Sequence, residues 1–209
     1  MRCLCGEPVD RVPYGVGIGW SPWGHTTEKW RQETGRPELD PRKELGFDAS
    51  FAVPKLEPGI FPKFEHRVIE QSQDYIVLRN ERGITLRQRR ERDCMPEFLD
   101  YPVKTPDDWK RFKAERLEIN DSRRVVENWD DFRVRLKQSG SAVQVGNYPY
   151  GVFGTARDFL GVEALLTGFY DYPEMIRYIM EHMTSLWISL WEQTAKQVQI
   201  DHIHIWEDM

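Results

Sequence analysis

The chain has 209 residues, 40% of them hydrophobic and 30% charged, and its 29 Lys plus Arg against 34 Asp plus Glu give a formal net charge of −5. That length predicts one domain, or one with an excursion, and 12% aromatic residues with eight Trp exclude a disordered chain. The acidic balance speaks against a general nucleic-acid binder, with the basic run Arg87 to Arg92 read as a solvated face.

No stretch approaches the roughly 18 uncharged apolar residues of a membrane span, and Met1 to Glu7 lacks the apolar region of a signal peptide. Three Cys do not make a disulfide framework, so a cytoplasmic protein is expected. Cys3 and Cys5 are one residue apart, not the two of a zinc knuckle, and read as ordinary thiols.

Residues 9–20 predict a buried strand after a loop, where Gly15, Gly17 and Gly19 imply close backbone approach. Their spacing is not that of a dinucleotide-binding turn. A short helix is expected over 26–34, capped by Thr26 or Thr27 and stopped by Gly35. Residues 50–104 read as an excursion. Pro54, Pro58, Gly59 and Pro62 punctuate its start, and two β-rich runs, 74–79 and 84–88, flank Asn80-Glu81-Arg82-Gly83 as an antiparallel hairpin.

Thr105-Pro106-Asp107-Asp108 is a helix start, and the helix over 107–117 carries Trp109 and Phe112 on one stripe. Val125, Trp129, Phe132 and Leu136 predict a helix over 122–138 that Gly140 ends. Then come a short strand over 141–146, a helix over 154–167, a long helix over 174–197 with a Met- and Trp-rich core stripe, and a strand over 199–209. Strands separated by such helices suggest parallel βα units, in an α/β barrel or an open doubly wound sheet. A last parallel strand with no crossover after it suggests the N-terminal part of a larger barrel; a small complete α+β domain is the other reading.

Several segments resemble the uroporphyrinogen decarboxylase superfamily. Gly6-Glu7-Pro8-Val9-Asp10-Arg11-Val12-Pro13 is similar to its opening. Pro102-Val103-Lys104-Thr105, Gly146-Asn147-Tyr148-Pro149-Tyr150-Gly151, Asp171-Tyr172-Pro173-Glu174 and the closing strand with its acidic pair are similar to later landmarks in the same order. The resemblance implies an α/β fold, the N-terminal part of a TIM-type (β/α)8 barrel with an antiparallel hairpin excursion, its site at the C-terminal ends of the strands. Residues 1–209 would then be a C-terminally incomplete domain. The superfamily holds at least two chemistries: cofactor-free removal of acetate carboxyl groups from a porphyrinogen, and methyl transfer involving a corrinoid and a thiol, usually with zinc. Trp30-Arg31-Gln32-Glu33-Thr34-Gly35-Arg36 is similar to the decarboxylases' arginine-bearing segment, which implies Arg31 and Arg36 as carboxylate binders. It is one residue too long, which on a helix turns Arg36 by about 100°. Asp48 stands where those enzymes carry an aspartate, and Tyr150 is the nearest counterpart of their tyrosine after the turn.

Read from the residues themselves, the last strand is the most informative. Ile203 and Ile205 would lie beneath a core, and either Glu207 or the His204 and Asp208 pair would reach the barrel mouth. A carboxylate at the C-terminal end of a barrel strand reads as catalytic or substrate-binding. His202 and His204 share a face, but two His fall short of the three protein ligands of a catalytic zinc, so no metal is assigned. Tyr148 and Tyr150 flank Pro149 on a βα loop, and Trp20, Trp23 and His25 follow the first strand in the same way as pocket-lining candidates.

The expectation is a uroporphyrinogen decarboxylase-like lyase without a cofactor, acting on a small anionic substrate. Asp48, Tyr150, Glu207 and Asp208 would be catalytic; Trp20, Trp23, His25, Arg31, Arg36 and Tyr148 would bind substrate. Neither a nucleic-acid nor a membrane partner is expected, and an uncovered strand edge would favour a homodimer. The alternatives are a zinc- and corrinoid-dependent methyltransferase and a non-catalytic interaction domain using the hairpin of residues 74–88.

Overall fold

The structure, a computed structural model, describes residues 6–12, 14, 24–48, 50–90, 94–147 and 149–207. Most of the strand expected over 9–20 lies outside them. The first helix, α1 (Gly24–Thr34), stops at Gly35, whose φ of +66° suits glycine. A single turn, α2 (Pro41–Glu44), follows, with the Asp40 side chain accepting from Arg42 N.

The excursion is an antiparallel sheet of four strands in chain order, β1 (Arg67–Gln71), β2 (Tyr75–Arg79), β3 (Thr85–Arg89) and β4 (Glu97–Asp100). The expected hairpin is its centre, with Val77 opposite Arg87 and Leu78 opposite Leu86. In the turn, Asn80 Oδ1 accepts from Arg82 N and Ile84 N, both at 3.0 Å. Gly83 has φ +82° and lies on the Phe64 ring, where a Cβ would meet Cε2 at 2.6 Å.

Helix α3 (Pro106–Arg116) opens on the expected box: Thr105 Oγ1 accepts from Asp108 N, and Asp108 accepts from Thr105 N. Trp109 and Phe112 are buried on its inner stripe. The helix expected over 122–138 is corrected to a 3₁₀ turn, Ser122–Arg124, then extended chain in which Val125 bridges Leu56, then α4 (Trp129–Ser139). Two side chains break it. Asn128 turns back to accept from Asp130 N and Asp131 N, and Arg124 is wholly buried, where a helix register would have left it on the surface.

The helix expected over 154–167 is corrected to two, α5 (Val152–Leu160) and α6 (Val162–Asp171). Gly161 between them has φ +85° and packs on Tyr101. The long helix, α7 (Pro173–Ala195), matches its expectation and carries the core. Ile176, Ile179, Met183, Leu186, Trp187 and Leu190 bury against Trp109, Phe112, Leu117, Ala156, Phe159 and Leu165. Removing such side chains from water is worth about 1.5–3 kcal/mol each, so this helix holds α3, α5 and α6 to one body.

The final strand shrinks to β6 (His202–Ile203), parallel to β5 (Gln144–Val145), while Ala52 bridges Val143 in parallel on the other side. Val143 packs with Phe132 and Val198 under α4. The expected facing of the last strand is reversed. Ile203 and Ile205 are about half exposed, and His204 is 9% exposed beside Gln144 at 5%. The His204 side of β6 is thus its inner face. The fold is therefore mixed α/β, with a short parallel sheet and a separate antiparallel one. No helix among the described residues is long and apolar enough to cross a membrane.

Candidate functional site

The chain leaving β5 turns at Gly146, whose φ of +74° and contact with the His204 backbone exclude a side chain, and reaches Tyr150 and Gly151 before α5 begins. The segment after β6 closes over this corner. Trp206 N donates to Tyr150 O at 2.9 Å, and a Cβ on Gly151 would overlap the Trp206 carbonyl oxygen. Glu207 then accepts from Phe153 N at 2.9 Å and Gly154 N at 3.2 Å. Its carboxylate caps α5, satisfying amides that Gly151 has no side chain to cap.

Behind that corner is a cleft of about 460 Å³ between the hairpin turn and α5. Lys63, His66 and Arg82 line it on the sheet side, and Tyr150, Thr155 and Asp158 on the helix side. The Tyr150 ring lies on Gly59, and burial, then Glu57, pushes its phenol pKa up. Arg82 donates to Asp158 across the cleft, joining sheet to body. Burial pushes the Asp158 carboxyl above its usual range, outweighing the pull of Arg82 and Arg157. Lys63 is shared between Glu57 and Glu81, at 3.5 and 4.0 Å.

A second polar surface is the inner face of the parallel sheet. The rings of Phe51 and His202 stack at 5.1 Å, those of His202 and His204 at 6.3 Å, and Trp206 meets His204 edge-on at 5.9 Å. Burial and the neighbouring His202 push the His204 pKa down. Among the described residues, no group of three or more His, Cys, Asp and Glu is placed to hold a metal.

Of the residues singled out in the sequence, Tyr150 and Glu207 meet at this corner. Asp48 is elsewhere: it accepts from Arg11 and from Tyr14 N, and the Arg11 hydrogen bond holds its carboxyl below the usual range. Arg36 pairs with Glu44, Arg31 Nε donates to Leu39 O at 3.2 Å, and His25 is exposed on α1. Among the described residues, the hydrogen bonds and ion pairs of Asp48, Arg31 and Arg36 close within residues 11–48, away from Tyr150 and Glu207. Trp20, Trp23, Tyr148 and Asp208 lie outside the described residues. Sequence reasoning missed Arg82 and Asp158. Arg82 reads as one more turn residue, Asp158 as one more polar helix position, and nothing in their 76-residue separation couples them.

No family model matches the chain, and neither a curated protein nor a solved structure is similar enough to it to count as a match.

Proposed function

We propose that the protein is an enzyme of the carboxy-lyase class, akin to the uroporphyrinogen decarboxylases, acting without a cofactor on a small carboxylated substrate at the Tyr150 cleft. The observation that carries this reading is Asp158, a largely buried carboxyl with a raised pKa beside Arg82 in a cleft of about 460 Å³. In the proposed reaction Arg82 binds a substrate carboxylate that is retained. Loss of carbon dioxide from a second carboxylate leaves its electron pair on carbon. Asp158 donates its proton to that carbon and regains one from water. The Tyr150 hydroxyl, a phenol whose pKa burial pushes further up, donates a hydrogen bond where negative charge develops.

Release of carbon dioxide from an acetate-bearing porphyrinogen and from simpler aromatic acetates tests this. The wild type is expected to turn over at least one of them. Asp158→Asn should lower kcat by about 100-fold or more, the usual contribution of a positioned general acid, and Arg82→Met should act mainly on KM. Turnover unchanged in both variants, or none on any acetate-bearing substrate, overturns the proposal.

A further inference from the structure

The seam between the antiparallel sheet and α3 holds a guanidinium that the fold leaves without an acceptor. Arg79 closes β2, and the register sets it opposite Thr85 of β3, which in turn faces Asp100 of β4. Side chains at registered positions project from one face of a sheet. Across from this row, Asp108, Arg111, Glu115 and Arg116 occupy one side of α3, and between the two is a cleft of about 390 Å³.

Most charges in this cleft are answered inside it. Lys104 Nζ pairs with Asp100 at 2.7 Å, and Arg111 Nη2 with Asp108 Oδ1 at 2.6 Å. Among the described residues Arg116 donates only through Nη1, to Pro62 O at 2.7 Å and Lys63 O at 3.4 Å, with its Cζ 3.8 Å from the centre of the Phe64 ring. Arg79 is different. Its Nε is buried with no hydrogen-bond partner, and among the described residues no carboxylate pairs with it. Its Cζ lies 5.7 Å from the same Phe64 ring centre. That cation–π contact accounts for where the side chain rests, but a ring face supplies no acceptor to the N–H fork. Arginine does not give up its proton, so the deficit is met only by an acceptor brought to it. With the two ion pairs closed, the charges left over are Arg79 and Arg116 against Glu115, which is exposed.

We infer that this cleft binds a phosphate group, with Arg79 as its principal donor and Thr85, Arg111 and Arg116 beside it. A guanidinium fork matches two oxygens of a phosphate or a carboxylate equally. Donors from both a sheet and a helix, on opposite walls of the cleft, suit the three oxygens of a tetrahedral phosphate rather than the two coplanar oxygens of a carboxylate. The volume is that of a small-molecule pocket. The site shares no lining residue with the Asp158 cleft, and its test does not depend on turnover.

The full chain is titrated by calorimetry with inorganic phosphate, phenyl phosphate and acetate at constant ionic strength, and its thermal melt is followed with each. The wild type is expected to bind phosphate at one site and acetate more weakly. Phenyl phosphate bound more tightly than inorganic phosphate assigns the group to an ester, and the reverse to the free ion. Arg79→Met keeps an apolar stem on Phe64 and removes the fork. It should weaken phosphate binding by about 10-fold or more, the scale of a hydrogen bond to a charged group. Its own melt should not fall, because an unsatisfied donor is removed. Glu115→Gln should tighten binding by about 2–5-fold, as removal of an exposed like charge does, and Arg82→Met should leave it unchanged. Arg79→Lys keeps the charge without the fork and decides if Arg79→Met fails to fold. No saturable binding of either phosphate to the wild type, acetate bound as tightly as inorganic phosphate, or undiminished binding to a folded Arg79→Met or Arg79→Lys overturns the inference.

Discussion

Arg124 and the His204 region are both buried and polar, yet they are finished to different degrees. Arg124 is wholly buried, and its guanidinium donates to Glu118 O, Glu57 O, Gly59 O and Arg116 O at 2.7–2.8 Å. It ties the segments 57–59 and 116–118 to its own, and being wholly buried it presents nothing to a ligand. The inner face at His204 keeps an unsatisfied ring nitrogen, and the neighbouring cleft keeps a carboxyl that resists ionisation. Polar groups that the fold completes hold architecture; those it leaves incomplete are where chemistry is to be sought.

Breaking the finished centre should have the largest effect. Arg124→Met strands four carbonyl groups and is expected to cost on the order of 4 kcal/mol, measured as a shift of the denaturation midpoint. A loss under about 1 kcal/mol would mean the loops are held by something else. Next is the corner joining the two regions. Gly151→Ala pushes a methyl group into the Trp206 carbonyl and should cost about 1–3 kcal/mol, with weakened amide protection at Phe153 and Gly154. Glu207→Gln keeps an acceptor for those amides but removes the charge, and should cost about 0.3–1 kcal/mol by thermal melts.

The smallest effect is one of pH. His182 Nε2 donates to Leu117 O at 2.7 Å, and burial pushes its pKa below the ordinary 6.5. The unfolded chain therefore takes up this proton first. The stability is fully present above 6.5 and is lost as pH falls from 6.5 through the lower folded value. His182→Gln keeps a donor and should flatten that part of the stability curve, as read by denaturation at a series of pH values.

Much of the helical framework was legible because local signals agree. The Thr105 box, Gly140 with φ +63°, and the apolar stripe of α7 each state one structure. The misreadings fall where tertiary contacts decide. The helix expected over 122–138 is broken where Arg124 reaches carbonyls 65 and 67 residues away at Gly59 and Glu57. Gly161 passes for a tolerated helical glycine until Tyr101 packs against it. The last strand reads as apolar-in because Ile is the default core residue, yet facing depends on what covers each side, which the local pattern does not contain. Of the site, Tyr150 is marked by its place on a loop after a strand and Glu207 by its place at the end of one. Arg82 and Asp158 become a pair only through packing of the hairpin on α5.

The measurement closest to the central claim is the titration of Asp158 in the intact chain, followed by carbon-13 NMR of its side-chain carboxyl and assigned with Asp158→Asn. The account predicts a midpoint clearly above the ordinary 3.8, because burial outweighs the Arg82 guanidinium, and a further rise in Arg82→Met. A midpoint at or below 3.8 would mean that Asp158 is simply an ionised partner of Arg82, and the cleft would lose its proton donor.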